Sequence, residues 1–74
     1  MNKREIIAMC LERMIATEQI TNALELHYAI TNAYADCKYA ASKSGYTGAC
    51  FHDLWDQASK QHARKLNIRQ GETR

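Results

Sequence analysis

The chain of 74 residues carries ten lysines and arginines against eight aspartates and glutamates, and its net charge of +2 points to no class of partner. A chain of this length forms one domain at most, and an apolar content of 46% excludes wholesale disorder. Proline is absent and glycine occurs three times, which is typical of helical chains because neither residue suits a helix interior. We therefore expect a single all-α domain of three helices over residues 1–74.

The three cysteines, Cys10, Cys37 and Cys50, are an odd number and too scattered for a disulfide framework. Glu12 and Arg13 interrupt the apolar N-terminal run, so it does not resemble a signal peptide. No stretch approaches the roughly 20 consecutive apolar residues of a membrane span. These features predict free thiols in a reducing cytoplasm.

The first predicted helix covers residues 3–16, with Asn2 as its N-cap. Its apolar residues recur at helical spacing and form one face: Ile6, Ile7, Cys10, Leu11, Met14 and Ile15. If the helix continued unbroken, the main apolar stripe of the following segment would point roughly the opposite way. We therefore predict a break near Ala16–Gln19 with Thr17 as the next N-cap, while one long helix remains the alternative.

The second predicted helix, residues 18–43, is the longest and is apolar over most of its circumference. Its wider stripe is expected to pack against the other two helices: Ile20, Ala23, Leu26, Ile30, Ala33, Tyr34, Cys37 and Ala41. A second stripe, well round the helix, consists of Leu24, Tyr28, Ala35 and Tyr39. Soluble monomers seldom expose such a patch, so the second stripe predicts an interface. A helical homodimer joined along it is expected, and the alternatives are docking of a different protein or packing of the first helix along this stripe.

Gly45 lies in the segment SKSGYTGA, residues 42–49, and is predicted to end the second helix in a left-handed conformation. A third helix is expected over residues 50–66, with an apolar stripe that places Trp55 in the core. Residues 67–74 show no periodicity and are expected to form a frayed tail. The short connection should make the second and third helices antiparallel neighbours.

Cysteine and histidine side chains are the candidates for chemistry. Cys37, Cys50, His52 and His62 are residue types that bind zinc, but they lack the close Cys–Cys and His–His spacing of zinc sites. Cys50 with a histidine is a possible nucleophile pair, but a short three-helix chain rarely builds the cleft that catalysis needs. We therefore expect no catalytic residue, no cofactor and no bound metal.

The last part of the chain is its most basic segment. Four side chains there are candidate contacts to nucleic-acid phosphates: Lys60, Arg64, Lys65 and Arg69. The competing interpretation is a solvated helix end whose positive charges complement the helix macrodipole. The sequence has no helix-turn-helix pattern, so nucleic-acid binding is the alternative function rather than the first.

The expected function is that of a small, non-enzymatic regulatory or adaptor protein that binds another protein through its apolar helix faces. A core of this size rarely supplies more than ~3–5 kcal/mol, so a partner is expected to add stability. The small size, free cysteines and helical hairpins are similar in kind to those of small helical accessory proteins of phages and plasmids. That likeness rests on no shared motif and assigns no residue a role.

Overall fold

The computed structural model describes the backbone of residues 1–72 and the side chains of residues 1–66. The described residues form three α-helices and no strand, so the expected all-α fold is confirmed. The helices are α1 (Lys3–Ala16), α2 (Ala23–Ser42) and α3 (Ala49–Glu72), with a 3-10 turn at Thr17–Gln19. The expectation of a longest central helix is not confirmed, since α2 has 20 residues and α3 has 24.

The start of α1 is fixed by its first residues. The Asn2 side chain accepts a hydrogen bond from the Glu5 amide at 2.9 Å, and the Glu5 carboxylate accepts one from the Asn2 amide at 3.2 Å. Two amides that the helix itself cannot pair are thereby satisfied in a capping box. Asn2 is the N-cap, as the sequence predicts.

The chain does break after Ala16, but α2 begins later than the sequence predicts. The Thr17 hydroxyl donates to the Met14 carbonyl at 2.6 Å, so it serves the end of α1 rather than the start of α2. Asn22 is the N-cap of α2, because its side chain accepts from the Glu25 amide at 3.0 Å. The residues between are needed to reverse the chain, since α2 runs antiparallel to α1.

Gly45 ends the α2 region as expected, in a left-handed conformation with φ of 87°. The Gly45 amide donates to the Ser42 carbonyl at 3.1 Å, and the Tyr46 amide donates to the Ala41 carbonyl at 3.0 Å. This is the Schellman pattern, which a residue without Cβ adopts at little cost. The chain then turns back into α3 directly after Gly48, whose φ is 55°.

The three helices pack up, down and up. Arg13 of α1 pairs with Asp36 of α2 at 3.0 Å, as expected for antiparallel neighbours. α1 and α3 are parallel, and the Ser59 hydroxyl of α3 lies 3.9 Å from the Met14 sulfur. α1 packs closely against both other helices, whereas α2 and α3 meet along a shorter stretch. The central element of the bundle is therefore α1 and not α2.

Among the side chains of residues 1–66, the core receives three buried apolar residues from each helix. They are Ile6, Cys10 and Met14 from α1, Ala33, Cys37 and Ala41 from α2, and Phe51, Leu54 and Ala58 from α3. The contribution of α2 is small in volume and lets α1 approach closely. The wide stripe predicted for α2 is only partly covered, because Ile30 is 43% exposed. Ala33, Cys37 and Ala41 form its buried part, whereas Ala23 at the start of α2 is exposed.

An aromatic cluster joins α2 to α3. The Tyr34 ring lies edge-on to Phe51 and to Trp55, with centroid distances of 5.1 Å in both pairs. Phe51 is fully buried, whereas Trp55 is only half-buried. Trp55 therefore borders the core rather than filling it, which differs from the sequence prediction.

The backbone of α3 stays helical to Glu72, beyond the predicted end at residue 66. No proline follows Leu66, and Gly71 comes only at the last turn, so no strong breaker stops the helix earlier. The side chains of Arg69 and of the rest of the predicted tail lie outside those that the structure describes.

Candidate protein-binding face of α2

The second predicted stripe of α2 is exposed on the side of the helix that faces away from α1 and α3. We refer to Leu24, Tyr28, Ala35 and Tyr39 as the outer face. Leu24 is 62% exposed, Tyr28 59% and Tyr39 65%, and Ala35 is exposed as well. Among the described side chains, four of the five large exposed apolar ones belong to α2. Apolar exposure is thus concentrated on one helix.

Two hydroxyls on and beside the outer face are satisfied within α2 itself. The Thr31 hydroxyl, which lies between Tyr28 and Ala35, donates to the His27 carbonyl at 2.8 Å. The Ser42 hydroxyl donates to the Tyr39 carbonyl at 2.7 Å. Covering these groups with another protein would not leave an unpaired hydroxyl, and an unpaired buried hydroxyl is costly. These two hydroxyls therefore add little to the free-energy cost of removing water from the outer face.

The rings of the outer face have ordered neighbours. The Lys43 ammonium lies 4.5 Å from the centroid of the Tyr39 ring, a cation–π contact. The His27 and Tyr28 rings lie 5.9 Å apart at an interplanar angle of 58°. These contacts leave the tyrosine rings on the surface and place a positive charge at one end of the outer face.

The basic residues of α3 are divided between paired and exposed side chains. Lys60 pairs with Asp56 at 3.0 Å, one helical turn away. Arg64 and Lys65 are exposed, and Arg64 borders a surface depression of about 150 Å³ together with Lys60 and two glutamines. Arg69 lies outside the described side chains. The basic cluster is therefore present on one helix but partly neutralised by its own acidic neighbour.

Two of the cysteines meet in the core. Cys10 and Cys37 are both fully buried, and the Cys10 thiol hydrogen-bonds to the Cys37 sulfur. Burial, followed by the charge and the hydrogen bond of Cys37, raises the pKa of the Cys10 thiol to about 12. Burial also raises the pKa of Cys37. Neither thiol is a nucleophile in the folded protein, because the thiolate is the reactive form.

The residues considered for zinc do not converge. Cys37 contacts Cys10 in the core, Cys50 is exposed at the start of α3, and the His62 ring nitrogen lies 2.8 Å from a Glu18 carboxylate oxygen. Across the part of the chain whose side chains are described, no three His, Cys, Asp or Glu residues are arranged to hold a metal ion.

A cleft of about 210 Å³ opens beside the core, and the sequence did not predict it. Its apolar lining includes Met14, Ile30 and Trp55, which explains why Ile30 is exposed. The polar residues at its edge already have partners, since Arg13 pairs with Asp36 and His62 contacts Glu18. The cleft forms only where three separate helices pack together, so no local sequence pattern predicts it.

No family model, curated protein or solved structure matches this chain. None of the helices in the described residues combines the length and the apolar character that a membrane crossing requires.

Proposed function

We propose that this protein is a small, non-enzymatic regulatory or adaptor protein that binds another protein through the outer face of α2. The observation that carries the proposal is the exposure of Leu24, Tyr28 and Tyr39 on one side of a single helix. Tyrosine is favoured in protein interfaces because it buries a large ring and keeps one polar end at the rim. A second copy of the chain is the first partner to test, since two-fold pairing buries the same face on both copies.

The distribution of reactive groups agrees with a binding role. The buried thiols are held in their protonated form, and His62 is engaged with Glu18. Cys50 is exposed on the surface of α3 rather than recessed in a cleft. The chain thus offers a better developed contact surface than a site for chemistry.

The test is a pair of charge substitutions on the outer face, Leu24→Glu with Tyr28→Glu. Both positions are exposed, so the monomer should keep its helical circular dichroism. Light scattering at micromolar concentration should show a dimer for the wild type and a monomer for the variant. Immobilised wild-type protein should also retain a partner from a lysate of the native host that the variant does not retain.

A matched control adds the same two charges elsewhere, as Gln61→Glu with Ala63→Glu on exposed positions of α3. The control should behave as the wild type in both assays. The proposal fails if the outer-face variant and the control cannot be distinguished in either assay.

Nucleic-acid binding is the second candidate function, and the exposed Arg64 and Lys65 favour it. Together with Lys60 they carry positive charge along one side of α3. If the protein binds DNA or RNA, affinity should fall steeply between 50 and 200 mM salt, because phosphate contacts release counterions. Arg64→Ala with Lys65→Ala should weaken that binding for every sequence tested, and polarisation of a labelled duplex or single strand measures it. Salt-independent binding, or none, removes this candidate.

A further inference from the structure

We infer that the outer face is covered by α2 of a second copy, packed antiparallel, with the two-fold axis passing between Thr31 and Asn32. This inference rests on the proposed function and specifies the partner and the register of the same face. It follows from the spacing of the exposed side chains, from their sizes and from the charges beside them.

The spacing of the outer face is symmetric about that point. Leu24 precedes it by the same number of residues by which Tyr39 follows it, and the same holds for Tyr28 and Ala35. In a two-fold antiparallel pair, a residue before the axis faces the residue equally far beyond it. Leu24 therefore faces the partner's Tyr39, and Tyr28 faces the partner's Ala35.

One of the two facing pairs in this register combines a large side chain with a small one. Tyr28 is large and more than half exposed, and it would lie over the small Ala35 of the partner subunit. Thr31 is short at the axis, so the two helices can approach closely there. A parallel pair would instead place Tyr28 against itself and leave a gap between two alanines. Alternation of large and small side chains across a contact is what fills an interface without voids.

The charges at one edge of the outer face also match. Glu25 and Lys43 lie about five helical turns apart and therefore on the same edge of α2. The Lys43 ammonium reaches back over the Tyr39 ring. In the antiparallel pair, this edge of one α2 lies beside the same edge of the partner's α2, and Tyr39 faces the partner's Leu24. The ammonium of Lys43 thus comes beside the partner's Glu25, and symmetry makes this ion pair twice.

The interface expected from this pairing is small. α2 has 20 residues and is therefore about 30 Å long, and it presents only one side to the partner. Interfaces at the low end of the size range are typical of weak or transient pairs, so we expect association at micromolar concentration.

The decisive test is disulfide trapping in a chain that carries Cys50→Ser, which removes the exposed thiol and leaves the two fully buried ones. Asn32→Cys, beside the axis, should link to its own copy on mild oxidation. Ala35→Cys should not, since the two introduced thiols lie about two helical turns, or roughly 10 Å, apart along an antiparallel pair. Non-reducing electrophoresis measures the linked fraction.

Charge reversal provides an independent arm of the test. Glu25→Lys alone and Lys43→Glu alone should each raise the dimer dissociation constant roughly tenfold, and the two together should restore it. Sedimentation at low salt measures the constant. A double variant as weak as the single ones contradicts the register.

A dimer in which Ala35→Cys links at least as readily as Asn32→Cys overturns the antiparallel pairing. A wild-type chain that stays monomeric throughout the micromolar range overturns the self-pairing altogether. The proposed function survives that second result if the outer-face variant Leu24→Glu with Tyr28→Glu still loses a protein that the wild type retains. The two failures are therefore distinguishable.

Discussion

The fully buried side chains of α2 are small, whereas most of those on its outer face are large. The side that packs on α1 and α3 buries Ala33, Cys37 and Ala41, whereas the outer face exposes Leu24, Tyr28 and Tyr39. Helices that pack on one side usually turn their large apolar residues inward, because burying them contributes most to folding. Here most of the apolar volume of the core comes from α1 and α3, and the small buried residues of α2 let the helices approach one another closely. Of its large side chains, Tyr34 packs on Phe51 and Trp55, whereas Leu24, Tyr28 and Tyr39 stay exposed.

Among the substitutions considered, removal of the Phe51 side chain from the core should have the largest effect. Phe51→Ala removes the largest fully buried side chain and should cost ~3–5 kcal/mol, which is comparable to the whole stability of a core this size. The variant should show little or no cooperative thermal transition by circular dichroism. His52→Ala, at the exposed neighbouring position, is the control and should melt as the wild type. A Phe51→Ala melt close to that control would contradict the core described here.

The next largest expected effect is a difference in reaction rate between the buried thiols and the exposed one. At pH 8, iodoacetamide should modify Cys50 freely, whereas Cys10 and Cys37 react only when the chain opens. With an opening free energy of ~3–5 kcal/mol, the buried thiols should react roughly 10²–10⁴-fold more slowly. Mass spectrometry of timed samples measures both rates, and a urea-unfolded sample should lose the difference. Comparable rates in the native protein would show that the α1–α2 contact is open.

A leucine added to each side of α2 gives a direct comparison of the two. Ala33→Leu inserts volume where the side chain is 2% exposed and should destabilise the chain by about 1–3 kcal/mol. Ala35→Leu adds the same atoms to the outer face and should leave the melting of the monomer nearly unchanged. Urea unfolding at a concentration below dimerisation measures both. Equal losses would mean that the outer face is also packed within its own chain.

The smallest expected effect concerns where α2 begins. Asn22→Ala removes the side chain that accepts from the Glu25 amide and should cost about 1 kcal/mol. Thr21→Ala, at the exposed preceding position, is the matched control and should cost less. Chemical denaturation resolves a difference of this size. An Asn22→Ala variant as stable as the control would place the N-cap elsewhere.

The local features of this fold can be predicted from the sequence. Asn2 is followed three residues later by Glu5, and Gly45 supplies the positive φ of a helix end, so neither depends on distant contacts. The residue at which α2 begins is harder to predict, because Thr17 and Asn22 are both good capping residues. The choice between them depends on where the chain must reverse to lie along α1.

Tertiary contacts decide what the sequence leaves open. The apolar pattern of α2 does not reveal that α1 covers only its small residues, so the exposure of Ile30 could not be predicted. The meeting of Cys10 with Cys37 depends on the register of two helices. Trp55 has core spacing along α3, but its burial depends on how far its neighbours extend over it.

The parallel placement of α1 and α3 has a consequence for synthesis of the chain. The contacts of Met14 with Ser59 and of Glu18 with His62 join residues 45 and 44 positions apart. On the ribosome, α1 and α2 emerge first and can pair only with each other. At about 5–20 residues per second, the segment up to His62 takes roughly one to a few seconds more to appear. During that interval the hairpin exposes the surface of α1 that α3 later covers, so folding is completed only when the last helix arrives.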